Sequence, residues 1–117
     1  MIVVENVEKQ VKSSDVVRNY YYRLIKDEIS VYFGQTETKI QAYGVEVERQ
    51  DVVDERVVNI ERECVTSISP YRHKVHNLMK ILYDNIVSPV HVLEIIGSEV
   101  DFCVEDFDYE LKNILTC

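Results

Sequence analysis

With 117 residues, 46% of them apolar, the chain is long enough to bury a core without metal or disulfide staples, and 1–117 reads as one domain. A net charge of −8 opposes non-specific binding to nucleic acid or an anionic membrane. Three cysteines, at Cys64, Cys103 and Cys117, form no CxxC pair and argue against a disulfide framework or zinc knuckle. Apolar stretches such as 90–96 are too short to span a bilayer, and Met1-Ile2-Val3-Val4 lacks the basic start of a signal peptide, so a cytoplasmic location is expected.

Residues 1–67 alternate short segments rich in Val, Ile, Tyr and Thr with polar turns, which predicts a curved antiparallel meander of about five strands. The first strand covers 2–11 and the second 18–26. Asp27-Glu28 reads as a tight hairpin turn into a third strand at 29–33. That register sets Leu24 opposite Val31 and Tyr22 opposite Phe33 on the core face. Arg23 then lies opposite Tyr32 on the other face, where Tyr21, Arg23 and Tyr32 form a cation–π cluster or an aromatic contact patch.

In the fourth strand, 38–49, Ile40 and Ala42 set one alternation phase and Val45 and Val47 the opposite one. A bulge or corner at Tyr43-Gly44 is therefore expected, with Gly44 structural. After an acidic turn at 51–55, the fifth strand spans 57–67. It places Val58, Ile60 and Cys64 on the apolar face with Arg62, which is expected to snorkel or to pair with an acid.

At Ser69-Pro70 the rhythm changes from strand to helix, and 68–117 reads as the helical part. Serine as N-cap and proline at the first helical position predict a helix over 70–85, with Val75, Leu78, Met79, Leu82, Tyr83 and Ile86 as its buried stripe. Its other side carries His73, His76 and Lys80, flanked by Arg72 and Lys74. These cations oppose the helix dipole, so something acidic is expected to meet them.

Ser88-Pro89 repeats the start signal. Val92, Leu93, Ile96, Val100, Cys103, Val104, Phe107, Leu111 and Ile114 then hold one helical face, with a kink or break expected at Gly97-Ser98. Cys64 and Cys103 are expected to pack as small hydrophobes, and Cys117 to be exposed. From Asp84 onward eight acids face the single Lys112. Either those acids neutralise the basic helix face within the protein, or an external anionic partner does.

Chemical motifs are sparse. His73 and His76 are three residues apart without an evident third metal ligand, and Glu105, Asp106 and Asp108 lack the glycine and closing glutamate of a calcium loop. No nucleophile motif or glycine-rich phosphate loop is present, so no catalytic residue, metal site or cofactor is assigned.

The run from Gln41 to Asp51 (Gln-Ala-Tyr-Gly-Val-Glu-Val-Glu-Arg-Gln-Asp), the Ser69-Pro70 segment with His73-Lys74-Val75, and the run from Leu82 to Pro89 resemble a family of short uncharacterised proteins from anaerobic spore-forming bacteria. The resemblance covers most of the chain. It implies a bacterial, soluble, stand-alone domain and transfers no functional residue.

The reading as a whole is an α+β, non-enzymatic protein-interaction or regulatory domain. Its contact surface combines Arg72, His73, Lys74, His76 and Lys80 with Tyr21, Arg23 and Tyr32. A nucleic-acid-associated regulator using the basic helix face, and a small hydrolase or metal-dependent enzyme, are the rival readings. Exposed tyrosines and an edge strand leave a homodimer open.

Overall fold

The computed structural model describes residues 1–116, so the expectation for Cys117 lies outside the described residues. The α+β architecture holds: one antiparallel sheet in the order β1-β2-β3-β4, followed by helices. There are four strands instead of five: β1 (Ile2–Ser13), β2 (Val16–Phe33), β3 (Thr36–Val53) and β4 (Arg56–Ser69). Each hairpin closes through two residues, with Ser13 opposite Val16, Phe33 opposite Thr36 and Val53 opposite Arg56.

The missing turn is Asp27-Glu28, which continues β2, Asp27 opposite Ala42 and Glu28 opposite Gln41. The expected strand partners therefore change. Leu24 lies opposite Val45, Tyr22 opposite Val47, and Arg23 opposite Glu46. Acids disfavour strands when they must be buried, but at this point the sheet has narrowed. β1 ends with Ile2 opposite Lys26, and β4 ends with Ser69 opposite Tyr43. Beyond them 27–33 and 36–42 run on as a two-stranded ribbon, where Asp27 takes the N-terminal ammonium at 3.1 Å. The molecule's longest dimension, 58 Å, matches an 18-residue strand at about 3.3 Å per residue.

The ladder between β2 and β3 has no register shift, so parity alone decides which face each side chain occupies. Tyr20, Tyr22 and Leu24 share a face with Tyr43, Val45 and Val47, and this face carries the core. Ile25, Ile40 and Ala42 are buried as well, but alternation puts them on the opposite face. The predicted phase change is thus real, while its cause differs. The irregularity belongs to β4, which spends the four steps from Val65 to Ser69 against two steps of β3, from Val45 to Tyr43. The positive φ of this bulge, 52°, falls on Ser67. Gly44 has no positive φ and is required by proximity: a Cβ there would collide with the Val65 carbonyl oxygen and lie 2.9 Å from Thr66 Cα.

The apolar side of β4 also differs from expectation. Cys64 and Ile60 lie opposite Glu46 and Gln50, on the face away from the helices, and Val58 falls in a second bulge. Val58 and Ile60 are exposed and Cys64 is half-buried. Alternation reports that a strand has two unlike faces without saying which one the helices cover.

Three α-helices follow the sheet: α1 (Arg72–Asp84), α2 (Val92–Val104) and α3 (Asp106–Thr116), with a 3-10 turn, Pro89–His91, before α2. Val75, Leu78, Met79 and Leu82 bury the predicted stripe of α1, Tyr83 is half-buried, and Ile86 is exposed beyond the helix end. α1 starts two residues later than expected because Ser69 does not cap it. The Ser69 hydroxyl accepts the Tyr71 amide at 3.1 Å and donates to Asp106 Oδ2 at 2.9 Å. Pro89 does occupy the first position of its 3-10 turn.

α2 runs through Gly97-Ser98 without a break. Space around Gly97 is open, and the Ser98 hydroxyl donates to Glu99 Oε2 at 3.0 Å instead of capping a new helix. The interruption comes at Glu105. Val92 and Ile96 are buried, and Val100 and Cys103 pack against the core, whereas Leu93 and Val104 are exposed. The Tyr22 hydroxyl ties the loop before α2 to the sheet by donating to the Val87 carbonyl at 3.0 Å.

The glycines give a test with opposite signs. Gly44→Ala forces a methyl group into the β4 backbone and is expected to cost about 2 kcal/mol or more. Gly97→Ala, in open helix interior, is expected to stabilise by about 0.5–1 kcal/mol. Urea titration of the two variants checks both; a mild Gly44→Ala phenotype would contradict the close approach of β4.

Candidate functional site

Of the basic residues read from the sequence, Arg72 and His73, with His76 one turn on, line a cleft of about 600 Å³ at the start of α1 together with Glu5, Tyr43, Pro70 and Tyr71, whereas Lys74 borders a separate groove with Asp106 and Lys80 lies two turns further along the helix. Three elements build the cleft. Tyr43 comes from the last β3 position paired with β4, and Pro70-Tyr71 from the turn into α1. Glu5 comes from β1, where the extra residue Val4 shifts the register between Val3 and Glu5. The register that runs unbroken from the hairpin at Ser13 and Val16 puts Glu5 opposite Leu24, on the helix side of the sheet.

Glu5 then meets two side chains spaced four apart on α1. Arg72 Nε donates to Glu5 Oε2 at 3.3 Å, and His76 Nδ1 donates to Glu5 Oε1 at 2.8 Å. A second acid serves the neighbouring side: Lys74 Nζ lies 2.9 Å from both oxygens of Asp106. The hydrogen bonds to Asp106 hold the lysine's pKa above its usual range. Tyr71 donates its hydroxyl to Glu110 Oε2 at 3.1 Å and stacks on the His73 ring at 6.2 Å. Burial, with that bond, raises the Tyr71 pKa.

Three of the five basic-face residues therefore face internal acids. Arg72 and His76 meet β1, an element the sequence reading did not offer as their partner, and Lys74 meets the C-terminal segment, as one reading had it. Lys80 and His73 are exposed, and among the described residues neither forms an ion pair. Asp106, one of the acids of the C-terminal segment, is a hub joining Lys74 and Ser69.

The tyrosine group does not assemble. Arg23 sits 5.2 Å from the Tyr21 ring, but Tyr32 is eleven residues from Tyr21, about 36 Å along the strand, and points to the opposite face. Arg23 turns instead to Glu46 at 2.7 Å and to Glu48 at 3.6 Å. Glu48, which the sequence reading passed over, is only 3% exposed and also accepts Arg62 Nε at 2.8 Å and Gln50 Nε2 at 2.9 Å. Burial would raise its pKa, but the hydrogen bonds from Arg62 and Gln50 and the nearby Arg23 prevail and hold it below the usual carboxylate range. Arg62 pairs with an acid as expected.

Both described cysteines are less acidic than a free thiol, chiefly through burial, which keeps them protonated and weakly nucleophilic at neutral pH. Among the described residues no group of three or more His, Cys, Asp or Glu side chains is placed to hold a metal ion. No helix of the described residues is long and apolar enough to cross a membrane.

A folded-state pKa depressed below its unfolded value stabilises the protein above the unfolded value, and that stability fades as pH falls through the folded one. Glu48→Gln is expected to cost about 2 kcal/mol at neutral pH, a difference that shrinks below about pH 4. Denaturant titrations of both chains from pH 7 to 3 measure this; a gap constant to the acid end would remove Glu48 from the electrostatic account.

No match is found among curated proteins or among solved structures. A family profile does match residues 1–101, which contain all four strands, α1 and most of α2. The chain accordingly belongs to DUF6514, a family of unknown function.

Proposed function

We propose that the protein is a non-enzymatic interaction domain that takes an acidic segment of a protein partner into the cleft at the head of α1. The observation that carries this reading is the make-up of that cleft. It joins two tyrosines to an α1 N-terminus that has neither an acidic first turn nor a side-chain cap. Uncapped amides and the positive end of the helix dipole favour a carboxylate there.

Arg72 fits the role. Glu5 orients its guanidinium through Nε, while the side chain stays 51% exposed and its Nη1 has no partner among the described residues. His73, stacked on Tyr71, adds a second ring with a free polar edge. The tyrosine walls supply apolar area at low entropic cost. A phosphate-binding role would draw on Arg72, His73, Lys74, His76 and Lys80 together, yet Lys74 and His76 are already engaged by Asp106 and Glu5, and that favours the narrower carboxylate reading.

A photo-reactive amino acid at position 73, with position 12 at the far end of β1 as the control, tests this in cells expressing the protein. A discrete cross-linked partner from position 73, lost in an Arg72→Glu background, is the expected outcome. Equal products from both positions, or products indifferent to Arg72→Glu, would rule the cleft out.

A further inference from the structure

Every seven residues along α2 and α3, an acid stands directly before a large apolar side chain: Glu94-Ile95, Asp101-Phe102 and Asp108-Tyr109. All six are exposed, Phe102 at 78% and Tyr109 at 65%. Single apolar residues on a surface are ordinary, but a row of three at a fixed interval is not. Seven residues fall about 20° short of two helical turns, so Ile95, Phe102 and Tyr109 keep to one side and form a ridge. Within α2 its first two members stand about 10 Å apart along the axis.

The core stripe of α2 is a different line, through Val92, Ile96, Val100 and Cys103. Folding therefore leaves the ridge without a cover. The break at Glu105 does not divide it, because Phe102, Glu105, Asp108 and Tyr109 open onto one groove of about 400 Å³, to which α1 contributes Lys74. That groove shares no lining residue with the cleft at the head of α1.

Charge decides what fits there. Helical geometry places Glu94, Asp101, Glu105 and Asp108 along the outer side of the ridge, and Glu99 and Asp106 on the inner side, where Lys74 neutralises Asp106. Lys112 is the only cation of residues 92–116. A second copy of the chain is a poor occupant, since two such ridges laid together oppose acid to acid along their length. Nucleic acid and anionic lipid carry the same sign as the ridge. The complementary shape is another helix with an apolar seam at the same repeat, and the complementary charge is Lys or Arg beside that seam.

We infer that the ridge of α2 and α3 docks a basic amphipathic helix of a protein partner. Its apolar seam lies on Ile95, Phe102 and Tyr109, and its cations face Glu94, Asp101 and Asp108.

A photo-reactive phenylalanine analogue in place of Phe102 tests this in cells expressing the full chain, with the same analogue in place of Tyr32, an exposed ring on the ribbon, as the control. The partner peptide joined to the analogue is sequenced by mass spectrometry. The expected result is a discrete product from position 102 and not from position 32, its peptide rich in Lys and Arg with apolar residues at helical spacing. Asp101→Lys combined with Asp108→Lys makes two attractive contacts repulsive and is expected to lower the yield about ten-fold. Asn at both positions, which removes the charges without reversing them, is expected to fall between, and thermal melts check that both variants stay folded. A peptide from the chain itself assigns the ridge to a second copy and overturns the inference. No discrete product, an acidic peptide, or a yield indifferent to both pairs of substitutions overturns it as well.

Discussion

Between Val17 opposite Val52 and Phe33 opposite Thr36, β2 and β3 pair without a slip, and this ladder governs where everything else can sit. Side chains alternate strictly along it, so the apolar residues cannot all reach one face. Tyr20, Tyr22 and Leu24, with Tyr43, Val45 and Val47, turn toward the helices, and Ile25, Ile40 and Ala42 take the opposite parity. α1 and α2 pack on the first group, and beyond the ends of β1 and β4 the ladder projects as the ribbon that gives the molecule its length, with Glu110 and Ile114 of α3 beside residues 39–41. β4 meets the changeover by folding its bulge onto Gly44, the one position where a missing side chain admits another backbone.

The charge on α1 follows from this layout. α1 crosses the sheet over its helix-side face, with β1 to one side and the α2-α3 junction to the other. Glu5 rises from β1 and Asp106 from the start of α3, so each flank of the basic face meets an acid from a different element. The cations cost the helix a little through its dipole, and those acids offset the cost. α3 is attached to this end of α1 through polar contacts at Asp106 and Glu110, and it lies beyond the residues that match the family. Unlike α1 and α2, α3 has no fully buried side chain among the described ones, and its apolar Phe107 and Leu111 are half-buried.

Much of the fold was legible because it depends on short-range pattern. The Ser69-Pro70 boundary and the stripe of Val75, Leu78, Met79 and Leu82 are local statements, and the structure keeps them. What was hidden depends on neighbours. Asp27-Glu28 resembles a turn unless one knows that no third strand presses on it there. Val58 and Ile60 look like core until the helices choose the other face of β4. Gly97 resembles a break, but a helix packed through Val92 and Ile96 tolerates one glycine. Basic side chains on α1 could be read as a group, yet Glu5 as their counter-ion could not, because that contact joins residues far apart in the chain and depends on the β1 and β2 register that sets Glu5 opposite Leu24.

Glu5 is where the sheet and the charge on α1 meet. Its place follows from the hairpin: from Ser13 opposite Val16 the register of β1 on β2 runs unbroken to Glu5 opposite Leu24, so parity sends Glu5 to the helix side, against Arg72 and His76. The extra residue at Val4 acts only beyond it, moving Val3 and Ile2 by one place against β2, and there Arg72 Nη2 donates to the Val4 carbonyl oxygen at 3.4 Å. A basic helix end in an acidic chain is thus held by an acid whose face is decided at the far end of its strand, by the two-residue turn between β1 and β2.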